Sequence, residues 1–78
     1  MDSKTEFLVL LGDNIRKHRM AKSYSQQNLS DELSVANADL NIAKSTIQRI
    51  ENGKLNPTIW ILKNIASVLE VSIDDLIK

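Results

Sequence analysis

Leucine and isoleucine recur at intervals of three and four residues along nearly the whole chain. Leu8, Leu11 and Ile15 form one such run, and Leu29 and Leu33 another, with Ala36 and Leu40 continuing the same phase. Ile47 and Ile50 follow Ala43, and Ile61, Leu62, Ile65, Ala66 and Leu69 make a longer run. Ile73, Leu76 and Ile77 close the pattern. That spacing is the period of an α-helix buried along one face, and no stretch alternates convincingly enough for a strand. Only two glycines and one proline interrupt 78 residues, which leaves room for tight connections and little else. A chain this short buries about 60 to 65% of its unfolded surface, so the aliphatic residues must share one core. The expectation is an all-α fold of five helices in a single domain, residues 1–78.

The boundaries follow from capping chemistry. Thr5 or Ser3 can cap a first helix running from about Glu6 to Ala21. Its stripe Leu8, Leu11, Ile15 ends on Arg19, so a charge falls on the inward face and needs a buried partner. Phe7, Val9 and Leu10 make the start of this helix apolar nearly all round, which suits core or dimer contact. Ser25 caps a second helix, an interaction worth about 1 kcal/mol over alanine. Asn41 is a candidate left-handed residue before the next helix. Thr58 opens a fourth helix reaching about Leu69, and Ser72 caps a last one, with Asp74 and Asp75 in its first turn.

Between these lies Ala43 to Gly53, AKSTIQRIENG, whose apolar stripe is narrow. Lys44, Ser45, Gln48, Arg49 and Asn52 occupy its other faces, with side chains suited to base edges or phosphates. Asn52-Gly53 supplies the stop.

Composition removes several function classes. With no cysteine there is neither a disulfide framework nor thiolate chemistry, and one histidine, His18, makes no ordinary metal site. No run reaches the roughly 18 apolar residues of a membrane span. Thr5 to Leu11 follows a single basic residue, which does not make a signal peptide, so the cytoplasm is the default location. No carboxylate pair or nucleophile is set up by spacing, so an enzyme is not expected. Net charge is zero, with 10 basic and 10 acidic residues, which argues against a diffuse polyanion binder. Charge is nevertheless segregated: Arg16, Lys17, Arg19 and Lys22 cluster, whereas Asp31, Glu32 and Asp39 lie in a stretch without bases.

Several blocks in order resemble one family. They are Ile15-Arg16-Lys17-His18-Arg19, Ser25-Gln26-Gln27-Asn28-Leu29, Ile42 to Lys54, Asn56-Pro57-Thr58, and Ile65-Ala66 with Leu69 to Leu76. Together they look like the Cro/phage-repressor type of helix-turn-helix, a lambda-repressor-like DNA-binding domain. The resemblance implies a transcriptional regulator, such as a repressor, that binds double-stranded DNA as a homodimer without cofactor or metal. It implies that the third helix enters the major groove while the second crosses the backbone. Lys44, Ser45 and Arg49 would then contact base edges, with Thr46 and Gln48 on the flank. Gln26 would clamp a phosphate, and Asn52, Lys54 and Asn56 would hold phosphates after the helix. Arg19 and Glu51 would form a buried ion pair tying the first helix to the third.

The chain departs from this family in being longer between its second and third helices. Ser34 to Asp39 is expected to form a bulging loop or an offset extra turn, facing away from DNA. Apolar surplus around Trp60, Ile61, Ile73 and Ile77 marks the expected dimer contact. The alternative is a protein-interaction module, for instance the antitoxin of a toxin–antitoxin pair.

Overall fold

A computed structural model of the chain describes residues 2–78. Five helices succeed one another: α1 (Ser3–Ala21), α2 (Gln26–Ala36), α3 (Lys44–Glu51), α4 (Ile59–Leu69) and α5 (Ile73–Ile77). Among the described residues there is no strand. The expected all-α arrangement of five helices is the one observed.

Four helices begin on a side chain that accepts an orphan backbone amide. Ser25 and Ser72 do so within reciprocal capping boxes, pairing with Asn28 and Asp75. Thr58 accepts from Ile61. The first helix starts earlier than the sequence suggests, because Asp2 caps it by accepting from the Thr5 amide at 2.7 Å. Neither Thr5 nor Ser3 is the cap, and an ionised carboxylate at that place also suits the positive helix end. Only α3 lacks a side-chain cap, since Ala43 precedes it.

Three helices end in the same way. Amides of Tyr24, Lys54 and Val71 reach back to the carbonyls of Arg19, Arg49 and Ala66, which closes each final turn. The residue before each amide must turn left-handed, with φ of 60° at Ser23, 71° at Gly53 and 59° at Glu70. Asn41, expected to be left-handed, does not have a positive φ. Serine and glutamate at such positions cost roughly 1 kcal/mol that glycine would avoid. The two strained turns are joined: Lys22 Nζ lies 2.6 Å from Glu70 Oε1. Each charge stabilises the other, so the lysine is held above its ordinary pKa and the carboxyl below its own.

The helices share one core, centred on Leu11, Ile15, Leu29, Leu33, Ile47, Ile50, Ile65 and Leu76. Helix α1 packs against α3 and α5, and α2 against α3 and α4. The close approach of α1 to α3 is possible because position 12 is glycine. A Cβ there would fall inside van der Waals distance of the Ile50 and Glu51 backbone carbonyls. At the other end, Asn14 donates to the Leu76 and Lys78 carbonyls at 3.0 and 2.9 Å, fastening α5.

The extra length between α2 and α3 is resolved as three pieces. Helix α2 continues through Ser34 to Ala36. Asn37 then makes a turn, its carbonyl accepting from Leu40 and its side chain from Asp39. Residues up to Ala43 return the chain to α3. Leu40 (6% exposed) and Ile42 (9%) dip into the core, and Ser30 Oγ donates to the Ile42 carbonyl at 2.7 Å. Leu40 is therefore inward from a loop, not from a prolonged helix. Ala36 and Ala43, both expected on apolar stripes, are exposed.

Alanine ordinarily stabilises a helix over glycine by about 1 kcal/mol, but at Gly12 it would push α1 off α3. We expect Gly12→Ala to lower unfolding free energy by about 2 kcal/mol in a urea titration, because overpacking outweighs propensity. Ser23→Gly should raise it by about 0.5 to 1 kcal/mol, the relief of strain less the added chain entropy.

Candidate nucleic-acid interface

The third helix is buried on one side by Ile47, Ile50 and Glu51. Helical periodicity then turns Lys44, Ser45, Gln48 and Arg49 outward, and all are exposed, with Thr46 half-buried at the edge. Lys44, Arg49 and Lys54 form no ion pair among the described residues. Beyond the helix end, Asn52, Lys54 and Asn56 are exposed, while Leu55 and Pro57 pack inward and hold that segment down. An outward row of donors and acceptors, without side-chain partners among the described residues, thus stands on a braced support.

The support is ionic. Arg19 reaches Glu51 through two parallel hydrogen bonds, Nε to Oε2 at 2.7 Å and Nη2 to Oε1 at 3.0 Å. This forked geometry is the strong form of an arginine–carboxylate contact. The remaining nitrogen, Nη1, donates to the Tyr24 carbonyl at 2.7 Å in the α1–α2 connection. Gln26 Nε2 donates to Glu51 Oε1 at 3.1 Å. One carboxylate at the end of α3 therefore gathers side chains from α1 and the first turn of α2. The burial leaves no side-chain nitrogen or oxygen without a partner among the described residues.

Gln26 is thereby fixed as well as fixing. One of its two amide hydrogens is used by Glu51, and the second remains for another acceptor. Three residues of the supporting fold carry no periodic signal in the sequence: Gly12, Asn14 and Ser30. Each depends on which backbone lies opposite. The residues around the expected dimer contact are only partly covered. Trp60 is 51% exposed and Ile77 37%, while Ile61 and Ile73 rest on the core edge. No helix among the described residues is long and apolar enough to cross a membrane.

Two helices joined through a connection, the second presenting polar side chains outward and braced from behind, define a helix-turn-helix domain. A family model described as Helix-turn-helix matches residues 15–76. The chain belongs to that family, in its Cro/phage-repressor branch. Among curated proteins it is similar to the HTH-type transcriptional regulator SinR of Bacillus subtilis, with 34% identity over 68 residues. That alignment covers 87% of this chain and 56% of the relative. The prophage-derived regulator YonR of Bacillus subtilis is 32% identical over 69 residues, covering 88% and 57%. YqaE of the same organism is 32% identical over 69 residues, covering 88% and 53%. The chain thus spans about half the length of these relatives. No solved structure matches it.

The buried pair sets a measurable asymmetry. Glu51→Ala should cost about 3 to 5 kcal/mol in thermal or urea unfolding, since it strands a guanidinium inside. Replacing both partners, Arg19→Met with Glu51→Leu, should cost far less, because no buried charge is left alone. Additive losses in that double-mutant cycle would show that the two side chains do not act as a unit.

Proposed function

We propose that this chain is a sequence-specific DNA-binding transcriptional regulator acting as a homodimer on a two-fold symmetric operator. The observation that carries the reading is the outward set Lys44, Ser45, Gln48 and Arg49. Among the described residues it has no side-chain partners, and it stands on a helix locked by Arg19 and Glu51. Similarity to proteins named as HTH-type transcriptional regulators supports it.

Helix α3 enters the major groove, where Lys44, Ser45 and Arg49 meet base edges and Thr46 and Gln48 line the flank. Gln26 gives its second amide hydrogen to a phosphate oxygen, so one side chain joins the backbone clamp to the recognition helix. Asn52, Lys54 and Asn56 hold further phosphates. A second copy docks through Trp60, Ile61, Ile73 and Ile77, which sets two recognition helices about 34 Å apart on one face of the duplex. Regulation is steric: the occupied operator excludes or recruits polymerase, nothing is catalysed, and the work is done in the cytoplasm. With a net charge of zero, affinity rests on a small number of placed phosphate contacts, and salt dependence is shallow.

Selection of bound sequences from a random duplex pool should return a palindrome with half-sites one turn apart. Arg49→Ala should then cost about 1 to 3 kcal/mol and relax preference at one base pair, read by fluorescence anisotropy. Unchanged affinity and preference would overturn the assignment of Arg49. Lys54→Ala should weaken all sequences alike and reduce the salt slope by about 1. Sedimentation of a monomer at tens of micromolar would rule out the dimer proposed on Trp60 and Ile77.

A further inference from the structure

Helix α1 has 19 residues and α5 only five, so α5 covers part of the side of α1 it lies along. Two contacts give its course. Lys22, past the end of α1, pairs with Glu70 just before α5, and Asn14 donates to the Leu76 and Lys78 carbonyls that flank Ile77. The chain therefore runs back along α1 from its C-terminus as far as Asn14. Leu10 and Phe7 continue the Asn14 stripe towards the N-terminus, at spacings of four and three. Leu10, one turn before Asn14, thus adjoins Ile77. Phe7 is 41% exposed, Leu10 40% and Ile77 37%, and none of the three belongs to the core.

We infer that the Phe7–Leu10 stripe of α1 is a dimer surface, covered by α5 of a second copy so that Leu10 of each copy meets the other's Ile77. The inference rests on the homodimer proposed above and adds α1 to its interface. Area requires such an addition. A stable interface takes about 800 Å² and 20 to 30 residues from each partner, against a total surface of 4769 Å² here. Trp60, Ile61, Ile73 and Ile77 fall short of that, because Ile61 and Ile73 are already partly covered by their own core. Phe7 and Leu10 enlarge the apolar surface next to Ile77, and a two-fold axis beside neighbouring apolar side chains makes the patch complementary to itself. Charges at its edge are paired within one copy, Asp74 with Lys78 and Asp13 with Lys17, so two copies approach without repulsion. The other exposed apolar residues on α1 and α2 lack this setting. Met20 sits one turn from Arg16 and Lys17, and Val35 one turn from Asp31 and Glu32. An interface through α1 also bears on spacing, since Gly12 and Arg19 of that helix fix α3.

Sedimentation velocity over a concentration series of the full chain tests this, for wild type, Leu10→Lys, Ile77→Glu and Val35→Lys. Circular dichroism melting checks that each variant is folded, and Leu10→Ala replaces Leu10→Lys should the charge prevent folding. Leu10→Lys is expected to raise the dimer dissociation constant roughly 30-fold or more, as at the centre of an interface, and Leu10→Ala roughly tenfold. Val35→Lys, an equally drastic change on another face, should leave it unaltered. An equimolar mixture of Leu10→Lys and Ile77→Glu should dimerise where neither variant does alone, because opposite charges then face each other across the axis. A folded Leu10 variant that dimerises like wild type overturns the inference and leaves the dimer on Trp60 and Ile77 standing. Equal weakening by Val35→Lys, or a mixture that stays monomeric, also overturns it. A monomeric wild type at tens of micromolar refutes the homodimer itself, and the α1 surface with it.

Discussion

The forked pair between Arg19 and Glu51 is the interaction on which the arrangement of the outer helix depends. A guanidinium and a carboxylate taken out of water are costly, and the cost is offset only when their geometry is good and their remaining groups are bonded. Here both conditions are met, with Tyr24 and Gln26 completing the hydrogen bonds around the pair. Such a pair adds little to stability compared with apolar side chains of the same volume. What it contributes is direction. An apolar contact tolerates sliding, whereas two parallel hydrogen bonds fix both the distance and the rotation of α3 relative to α1.

That fixation would be idle without the surrounding close packing. Gly12 lets α1 lie directly against the backbone at the end of α3, which brings Arg19, about two turns further along, within reach. Asn14 on the same helix holds the C-terminal carbonyls and so closes the core with α5. The left-handed turns at Ser23 and Glu70 accept strain in order to redirect the chain sharply. The Lys22–Glu70 contact then links those two corners. Such strain persists only because the core over-determines the positions on either side.

The connection between α2 and α3 shows the same economy. Extra residues in a helix-turn-helix could have swung α3 away from α2, because the docking of the two helices is sensitive to the length of the turn. Instead the helix gains part of a turn, Asn37 reverses the chain, and Leu40 and Ile42 return it to the core. The added length is absorbed by burial at two points. Its polar residues are left outside, where Val35, 80% exposed, and Asp39 also lie.

Much of this was legible in the residues alone. Periodicity and capping chemistry located all five helices, since both are local properties written within a few positions of each other. The inward phase of Arg19 announced a buried partner, and the resemblance supplied Glu51, 32 residues away. Where local reading went astray, the deciding contact was elsewhere. Asp2 took the cap from Thr5, and Leu40 entered the core from a loop that only the α2–α3 packing could shape. Gly12 could be read as indispensable only once the carbonyls of Ile50 and Glu51 were found against it. The sequence determined which segments coil and which faces avoid water, because those follow from neighbours three and four residues apart. Tertiary structure alone decided how the helices are locked and what stands beside α3, because those follow from groups that meet only after the chain has folded.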